Sequence, residues 1–600
     1  MRTHIPHYTF LLILLACSLG SCKKFLDQVP DDKQTIDDVF KKKASTEQYL
    51  ANIYAYIRWD NDPWKGLSDE VDITYNDDAT YSMNLGSWDR NRLDFNFWTH
   101  YYRGIRAASY FMDRVHECPE IDESLKVQYK AEAKVLRAFF YSKLMAQYGP
   151  VIILPNLPVE PDATIEDFDF VRSPYDSCVD YVANEIDAAI PNLPVSQGSS
   201  QEYGRIKKGM ALAMKSRMLL YAASPLFNGN TDYAGFKNPN GSNLISQTFD
   251  VNKWKRAADA AKAVMDMPDY SLYKELDAGG NVKPYESLKN VFLKDWNPEV
   301  IMAKVDGDAL YNIDKYGTPY LIGGWSSHGP TQQAVDAYFM ANGRSITDPA
   351  SGYVEAGFNN TATNNYAAGV SNMYVGREPR FYVAITFNLS KWINNSSNNT
   401  GGTGAAPIAV QMYKGGNSGQ YNGRNWSRTG YITRKLINPN TICLSGDQIK
   451  VAARTVIIFR LAEIYLSYAE ALNESSPGNA DIKKYINLIR ERAGIPQYGT
   501  DPGQVPEPAG QDGWRDAIRK ERRVELAFEQ FRYFDTRRWK IAEQTDGGPF
   551  YGMDANATTT ADFSKRVVFE TRVFQKKHYL WNIVQSELNK DKNLVENPGW

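Results

Sequence analysis

Residues 513–540 read GWRDAIRKERRVELAFEQFRYFDTRRWK. At ~100° per residue, Ala517, Val524, Ala527, Phe528, Phe531 and Phe534 fall within a stripe roughly 120° wide, the signature of an amphipathic helix with one core-facing side. Glu521, Glu525 and Glu529 form a four-residue ladder beside that stripe, with Arg522 and Arg532 on the same side and Arg519 and Arg523 on the other edge. Charges at this spacing support a helix weakly, and buried pairs would fix a geometry more than add stability. The spacing therefore predicts one ion-paired core helix over 513–540. A catalytic carboxylate cluster would need a nucleophile or histidine beside it, and the stretch supplies neither. It reads as scaffold, so the functional site is expected elsewhere.

Helical patterns of the same kind recur along the chain. Residues 44–59, 95–115, 125–148, 175–190, 205–226, 254–267, 457–474 and 481–494 each read as helix. Several carry stop signals, such as Gly149-Pro150, Pro191 and Pro496. Alanines alternate with aromatics on these segments, as paired helices require: small residues let neighbours approach and rings fill the gaps. The expected fold is mostly α, with tetratricopeptide-like helix pairs forming a scaffold, although no strict repeat period is present. Residues 63–92 look loop-like. Residues 316–433 are rich in Asn, Gly, Ser and Thr, including NNSSNNTGGTG at 394–404, which reads equally as a surface tip. Strand-like runs occur at 299–304 and 380–387. The predicted organisation is a single domain over 44–600, its helical scaffold interrupted by a loop-rich insertion with short strands at about 268–456.

Lys and Arg number 68 against 70 Asp and Glu, so the net charge is −2 and nothing marks a nucleic-acid surface. The 600 residues include 38 Tyr and 13 Trp, side chains suited to half-wet surfaces, but only 6 His. At the start, Arg2 and His4 precede a short apolar run, too short to span a bilayer in a mature protein. Residues 1–21 thus read as a signal peptide. The junction Leu19-Gly20-Ser21-Cys22 resembles a bacterial lipobox, implying cleavage before Cys22 and its lipidation; an ordinary secretory signal with an incidental cysteine is the competing reading. Residues 22–43 read as a lipid anchor and polar tether. A multi-chain lipid anchors stably where one acyl chain does not. Cys118, Cys178 and Cys443 have no metal spacing; one disulfide fits them, and isolated buried thiols fit better. No metal site and no cofactor fingerprint is expected.

Nine segments in order resemble the SusD/RagB family of outer-membrane nutrient-binding lipoproteins. They are CKKFLDQVP after the lipobox, AEAKVLRAFFYSKLMAQYGPV, GRIKKGMALAMKSRMLLYAASPLF, HGPTQQAVDAYFMANG, TGYITRK, FRLAEIYLSYAEALNE, INLIRERAGIP, RRVELAFEQFRYFDTRRW and the terminal NPGW, running from Cys22 to Trp600. The resemblance implies a lipoprotein facing the cell exterior, anchored in the outer membrane through Cys22. It implies docking on a SusC-like TonB-dependent transporter, to which a bound glycan is delivered. In glycan-binding members of that family, aromatic side chains stack on sugars; the loops that carry them vary, so no binding residue transfers by motif.

Sugar rings present apolar C–H faces and equatorial hydroxyls, so loop aromatics beside Asn, Asp, Arg or His are the candidates. Tyr75-Asn76, Trp88 with Arg90, and Tyr320 with Trp325 and His328 fit this description. Each could instead be a ring packed on its own loop. Trp325 follows two glycines, which permit close approach or unusual backbone angles. Trp98 sits at helical spacing and is expected in the core. The region from Trp392 to Trp426 is the second place to look. Two other readings stay open: peptide binding on the same scaffold, and a surface glycoside hydrolase using a carboxylate pair. Asp69, Glu70, Asp72, Asp77 and Asp78 form the one cluster where such a pair or a calcium ion could sit, against the simpler reading of a solvated acidic loop. An enzyme is not expected.

Overall fold

The computed structural model describes residues 36–59, 62–92, 94–156, 170–196, 202–393, 407–443 and 448–600. The signal peptide, Cys22 and the 394–404 stretch lie outside them. Helix α1 (Lys43–Tyr54) leads into α2 (Phe97–Arg114), α3 (Glu123–Tyr148), α4 (Tyr175–Ala189), α5 (Lys208–Ala223) and α6 (Val251–Met265). Neighbours in the chain pack on one another, from α2 on α3 through to α5 on α6. Local chemistry sets their ends. Asn96 caps α2 by accepting from Thr99 N, Asp122 caps α3 by accepting from Leu125 N, and Gly149 at φ +71° stops α3 where a side chain would be strained. After Met265 the chain leaves this array. It returns through α8 (Leu461–Ser475), which packs against α6, and is followed by α9 (Ala480–Ala493), capped by Gly494 in the left-handed region. The fold is mostly helical, as the periodicity predicts. Cys118, Cys178 and Cys443 are free and buried, and no helix among the described residues is long and apolar enough to cross a membrane.

Between α6 and α8 lie α7 (Gly307–Gly317) and short antiparallel strand pairs. Strand β1 (Val71–Ile73) pairs with β3 (His328–Pro330), and β2 (Val300–Lys304) pairs with β4 (Val456–Arg460). These elements enclose a second apolar core around Phe292, Tyr338, Tyr374, Phe381, Ile432 and Phe528, beside the larger helical one.

Four expectations are corrected. Residues 457–474 do not form one helix: Val456–Arg460 is a strand, because its β-branched residues pair with β2, and the helix starts at Leu461. Residues 380–387 begin as a helix, Pro379–Ala384, since Pro379 presets the first turn; only Ile385–Thr386 is strand. Residues 63–92 hold Asp62–Gly66 and Ala79–Asn84 as helices around β1, with Trp64 fully buried. The 513–540 stretch is split into α10 (Gly510–Glu525) and α11 (Arg532–Arg538). Between them Phe528 and Gln530 adopt φ of +64° and +71°. The reversal has a packing cause. It sends Ala527 and Phe528 into the second core while Leu526, Phe531 and Phe534 stay in the first.

The charged ladder does pair. Glu525 accepts from Arg460 and Arg492, Glu529 from Arg460 and Lys435, and Glu521 from Arg380 and Arg490. Glu299 joins Arg460 to Arg492, and Glu378 holds Arg380. Five carboxylates (299, 378, 521, 525, 529) thus face five cations (380, 435, 460, 490, 492), all buried, so the formal charges within this network balance. Burial raises the Glu525 pKa, but the surrounding arginines overcome it and hold the carboxylate ionised.

Candidate aromatic binding site

Strand pairing builds the site. The β1–β3 register sets Asp72 opposite Gly329 and Ile73 opposite His328, and Thr74 N donates to Ser327 O at 3.1 Å, so Tyr75 leaves its strand beside residues 325–327. Those residues fold back on the last turn of α7. Trp325 N donates to Lys315 O at 2.8 Å, Ser326 N to Thr318 O at 3.0 Å and Ser327 N to Tyr316 O at 3.0 Å. The two glycines serve this turn: Gly323 sits at φ +86°, and a Cβ on Gly324 would lie 2.1 Å from Thr318 O.

The turn places Trp325 edge-on to three tyrosines. Ring centroids lie 4.9 Å from Tyr316, 6.2 Å from Tyr75 and 6.2 Å from Tyr311. The segment YNGRNWSR at 421–428, at the end of the Trp392–Trp426 region that is the second place to look, closes around them. Tyr421 stacks on Tyr320 at 4.4 Å, and Tyr320 stays 42% exposed. The Arg424 guanidinium lies 4.2 Å over the Tyr75 ring and pairs with Asp77 at 2.6 Å. Tyr75 OH donates to Asn425 at 2.8 Å. Arg428 donates to Asp72 at 2.7 and 3.1 Å and to Asn76 at 3.2 Å.

The electrostatics are local and balanced. Burial pushes the Tyr75 phenol up to about 12, which keeps it a neutral donor. The Arg424 hydrogen bond lowers the exposed Asp77 carboxyl. Tyr421 is raised, by burial first and then by its contact with Tyr320. The surface therefore offers half-buried rings with exposed Asn, Asp and Arg heads beside them, and no excess charge.

Tyr75, Asn76, Tyr320 and Trp325 converge here. His328 is nearby but 1% exposed, stacked on Tyr316 at 4.9 Å; its expected place on an open loop is corrected, because the β1–β3 pairing buries it. Trp88 is also corrected. It is 5% exposed, stacked on His578 at 5.1 Å and wedged beside Trp581 and Trp600, with Nε1 donating to Asn582. Arg90 goes with it, its carbonyl accepting from Gln585 N. Trp98 is in the core, as expected, and so is Trp392. Tyr311, Tyr316, Tyr421, Arg424, Asn425 and Arg428 are additions. The run of rings, Asn and Arg in 421–428 was the available signal for four of them.

The acidic cluster does not stay together as a pair or a cage. Asp69 lies between Arg523 and Arg532; burial raises its pKa, but these arginines bring it to about 2. Asp72 serves Arg428, Asp77 serves Arg424 and Asp78 caps the Ala79–Asn84 helix. Glu70 is buried and pushed by that burial to about 7, with Oε1 accepting from Phe528 N at 3.2 Å. Its expected place on a solvated loop is thereby corrected.

Comparison with known proteins places this architecture. Residues 298–600 match the SusD family, and residues 24–220 match a family described as starch-binding, associating with the outer membrane. SusD-like protein P38 of Formosa agariphila is 23% identical over 580 residues, covering 91% of this chain and 93% of that protein. SusD-like protein P2 of the same organism is 32% identical over 162 residues, which spans 26% of this chain and only 28% of P2. Among solved structures, BT4246 superposes with a TM-score of 0.80 at 24% identity, covering 93% of this chain and all of that one. A SusD-like protein (BF3747) from Bacteroides fragilis gives 0.74 at 25% identity, covering 94% and 99%. A laminarin binding SusD-like protein gives 0.55 at 18% identity, covering 94% and 100%. The family match covers more than half the chain, and the whole fold agrees with it: the chain belongs to the SusD family.

Proposed function

We propose that this chain is a cell-surface lipoprotein, anchored in the outer membrane through Cys22, that binds a neutral nutrient glycan and delivers it to a SusC-like TonB-dependent transporter. The observation that carries the reading is the convergence of Tyr75, Tyr316, Trp325, Tyr320 and Tyr421 with Asn76, Asp77, Arg424 and Asn425 on one surface. Rings take the C–H faces of a sugar, and the amide, carboxylate and guanidinium heads take its hydroxyls. Each charged head here already has a counter-charge, which suits a ligand that brings none. A relative named for laminarin supports a polysaccharide as ligand.

The test is calorimetry of the purified protein against laminarin and a panel of other neutral polysaccharides, with Trp325→Ala and Tyr320→Ala alongside. Saturable binding weakened by both variants supports the reading. Binding by no polysaccharide, or unaffected by either variant, overturns it. For the anchor, Cys22→Ala should release the protein from outer-membrane fractions with loss of the lipid mass. Unchanged membrane retention would remove Cys22 from that role.

A further inference from the structure

We propose that a groove at the other end of α7 is a second saccharide subsite, so that the ligand is a chain long enough to reach both places. This rests on the saccharide reading of the first site and extends it. The groove has a volume of about 970 Å³, within the range of ligand pockets, and lies where the helical core meets the second one. Its wall is α1, through Leu50, Ala51 and Tyr54, facing the end of β2.

Two features identify the occupant. The first is an aromatic pair at the groove edge. Tyr203 and Trp296 have ring centroids 5.1 Å apart, and Tyr203 is 47% exposed. Trp296 is held at φ +52°, a conformation side chains adopt rarely, and a Cβ on Gly204 would lie 4.0 Å from its ring. The second is the polar rim of Glu47, Asp295, Arg205 and Lys304, two acids and two bases. Arg205 Nη2 donates to Glu132 at 2.9 Å, while its Nε has no hydrogen-bond partner among the described residues. Rings beside balanced hydrogen-bonding heads repeat the chemistry of the Trp325 site and again favour an uncharged hydroxylated ligand.

Helix α7 links the two places. Val305, 76% exposed in the groove, lies two residues before it, next to its N-cap Asp306. Gly307, Asp308, Tyr311 and Asn312 form its accessible stripe, and the Tyr311 ring already faces Trp325. Eleven residues at ~1.5 Å each make the helix about 16 Å long. A short oligosaccharide would fill one subsite, and an extended chain would cover the stripe and engage both.

The test is calorimetry with linear laminari-, malto-, cello- and xylo-oligosaccharides of graded length, using the full protein, Tyr203→Ala and Ala51→Arg, with thermal melts of each. Ala51 is exposed on α1, so the arginine fills the groove without entering a core. The expected result is affinity that rises with chain length in the wild type, and a loss of about tenfold for long chains only in both variants, at unchanged melting temperature. Equal loss for short and long chains, or no loss, overturns the groove subsite while leaving the Trp325 site standing. Groove variants that bind every oligosaccharide normally but no longer co-purify with the transporter would make the groove a protein contact and also overturn it. Wild-type protein that binds none of the series removes the saccharide reading of both places.

Discussion

The guanidinium of Arg424 lies 4.2 Å above the ring of Tyr75, tied at its far end to Asp77. Both charged side chains are more than half exposed, so the pair holds little stability. What it holds is a position: a five-donor fork parked over an aromatic face. Arg424→Ala should leave the melting curve unchanged and weaken glycan binding about tenfold, as expected when a charged hydrogen-bond donor to the ligand is lost. Calorimetry with a paired melt checks it. Unchanged or tighter binding would make Arg424 a cover and not a contact.

Trp325 and Trp88 should behave oppositely. Trp325→Ala is expected to weaken glycan binding by about 1–3 kcal/mol, by analogy with stacking on nucleobases, with the fold intact. Trp88→Ala empties a site among His578, Trp581 and Trp600. It should cost about 3–5 kcal/mol in denaturant unfolding and leave binding by the folded fraction normal.

Glu70 gives stability a pH dependence on the neutral side. Burial raises its carboxyl to about 7, beside Asp69, Arg523, Arg532, Lys65 and Tyr338. A raised folded pKa means the folded state holds the proton more tightly. The contribution is therefore full below the ordinary value of 4.5 and fades as pH rises through about 7. Wild type should lose stability between about pH 5 and pH 8, and Glu70→Gln should flatten that slope. Asp69 and Glu470, both held near 2 against burial by their arginines, act with the opposite sign, their contribution being lost as pH falls from about 4 toward 2. Urea titrations across pH, run on both proteins, separate the two limbs.

Phe528 combines burial with a left-handed backbone. Phe528→Ala should cost about 3–5 kcal/mol. Phe528→Gly removes the same ring but relieves the backbone, where a side chain costs about 1–2 kcal/mol. The glycine variant should thus be no less stable than the alanine variant, contrary to the usual order within helices. Equilibrium denaturation of the pair decides it.

Helices were legible wherever one apolar face served one core. Residues 125–148 and 481–494 carried period, caps and stops together, and appear within two residues of the expected bounds. The 513–540 helix failed because its apolar stripe serves two cores, and periodicity cannot show a stripe being divided. The site was legible in part for a related reason. Trp88 and Trp325 occupy equally polar surroundings in sequence. What buries Trp88 is a set of residues nearly 500 positions away, including Asn582. What completes the Trp325 surface is a segment about 100 positions on. Local chemistry identifies a ring that can bind; only the tertiary fold decides which ring is left uncovered.

The buried charge network carries a consequence for synthesis. Arg380, Lys435 and Arg460 enter the chain well before their partners among Glu521, Glu525 and Glu529. Until that last segment emerges, several of these groups lack their counter-charges, and closing the interior around them is prohibitive. The network's interior therefore cannot close with its charges paired until residues 521–529 have joined the chain. For the same reason a cut that separates Arg460 from Glu525 should leave two fragments, each carrying buried charges without their partners.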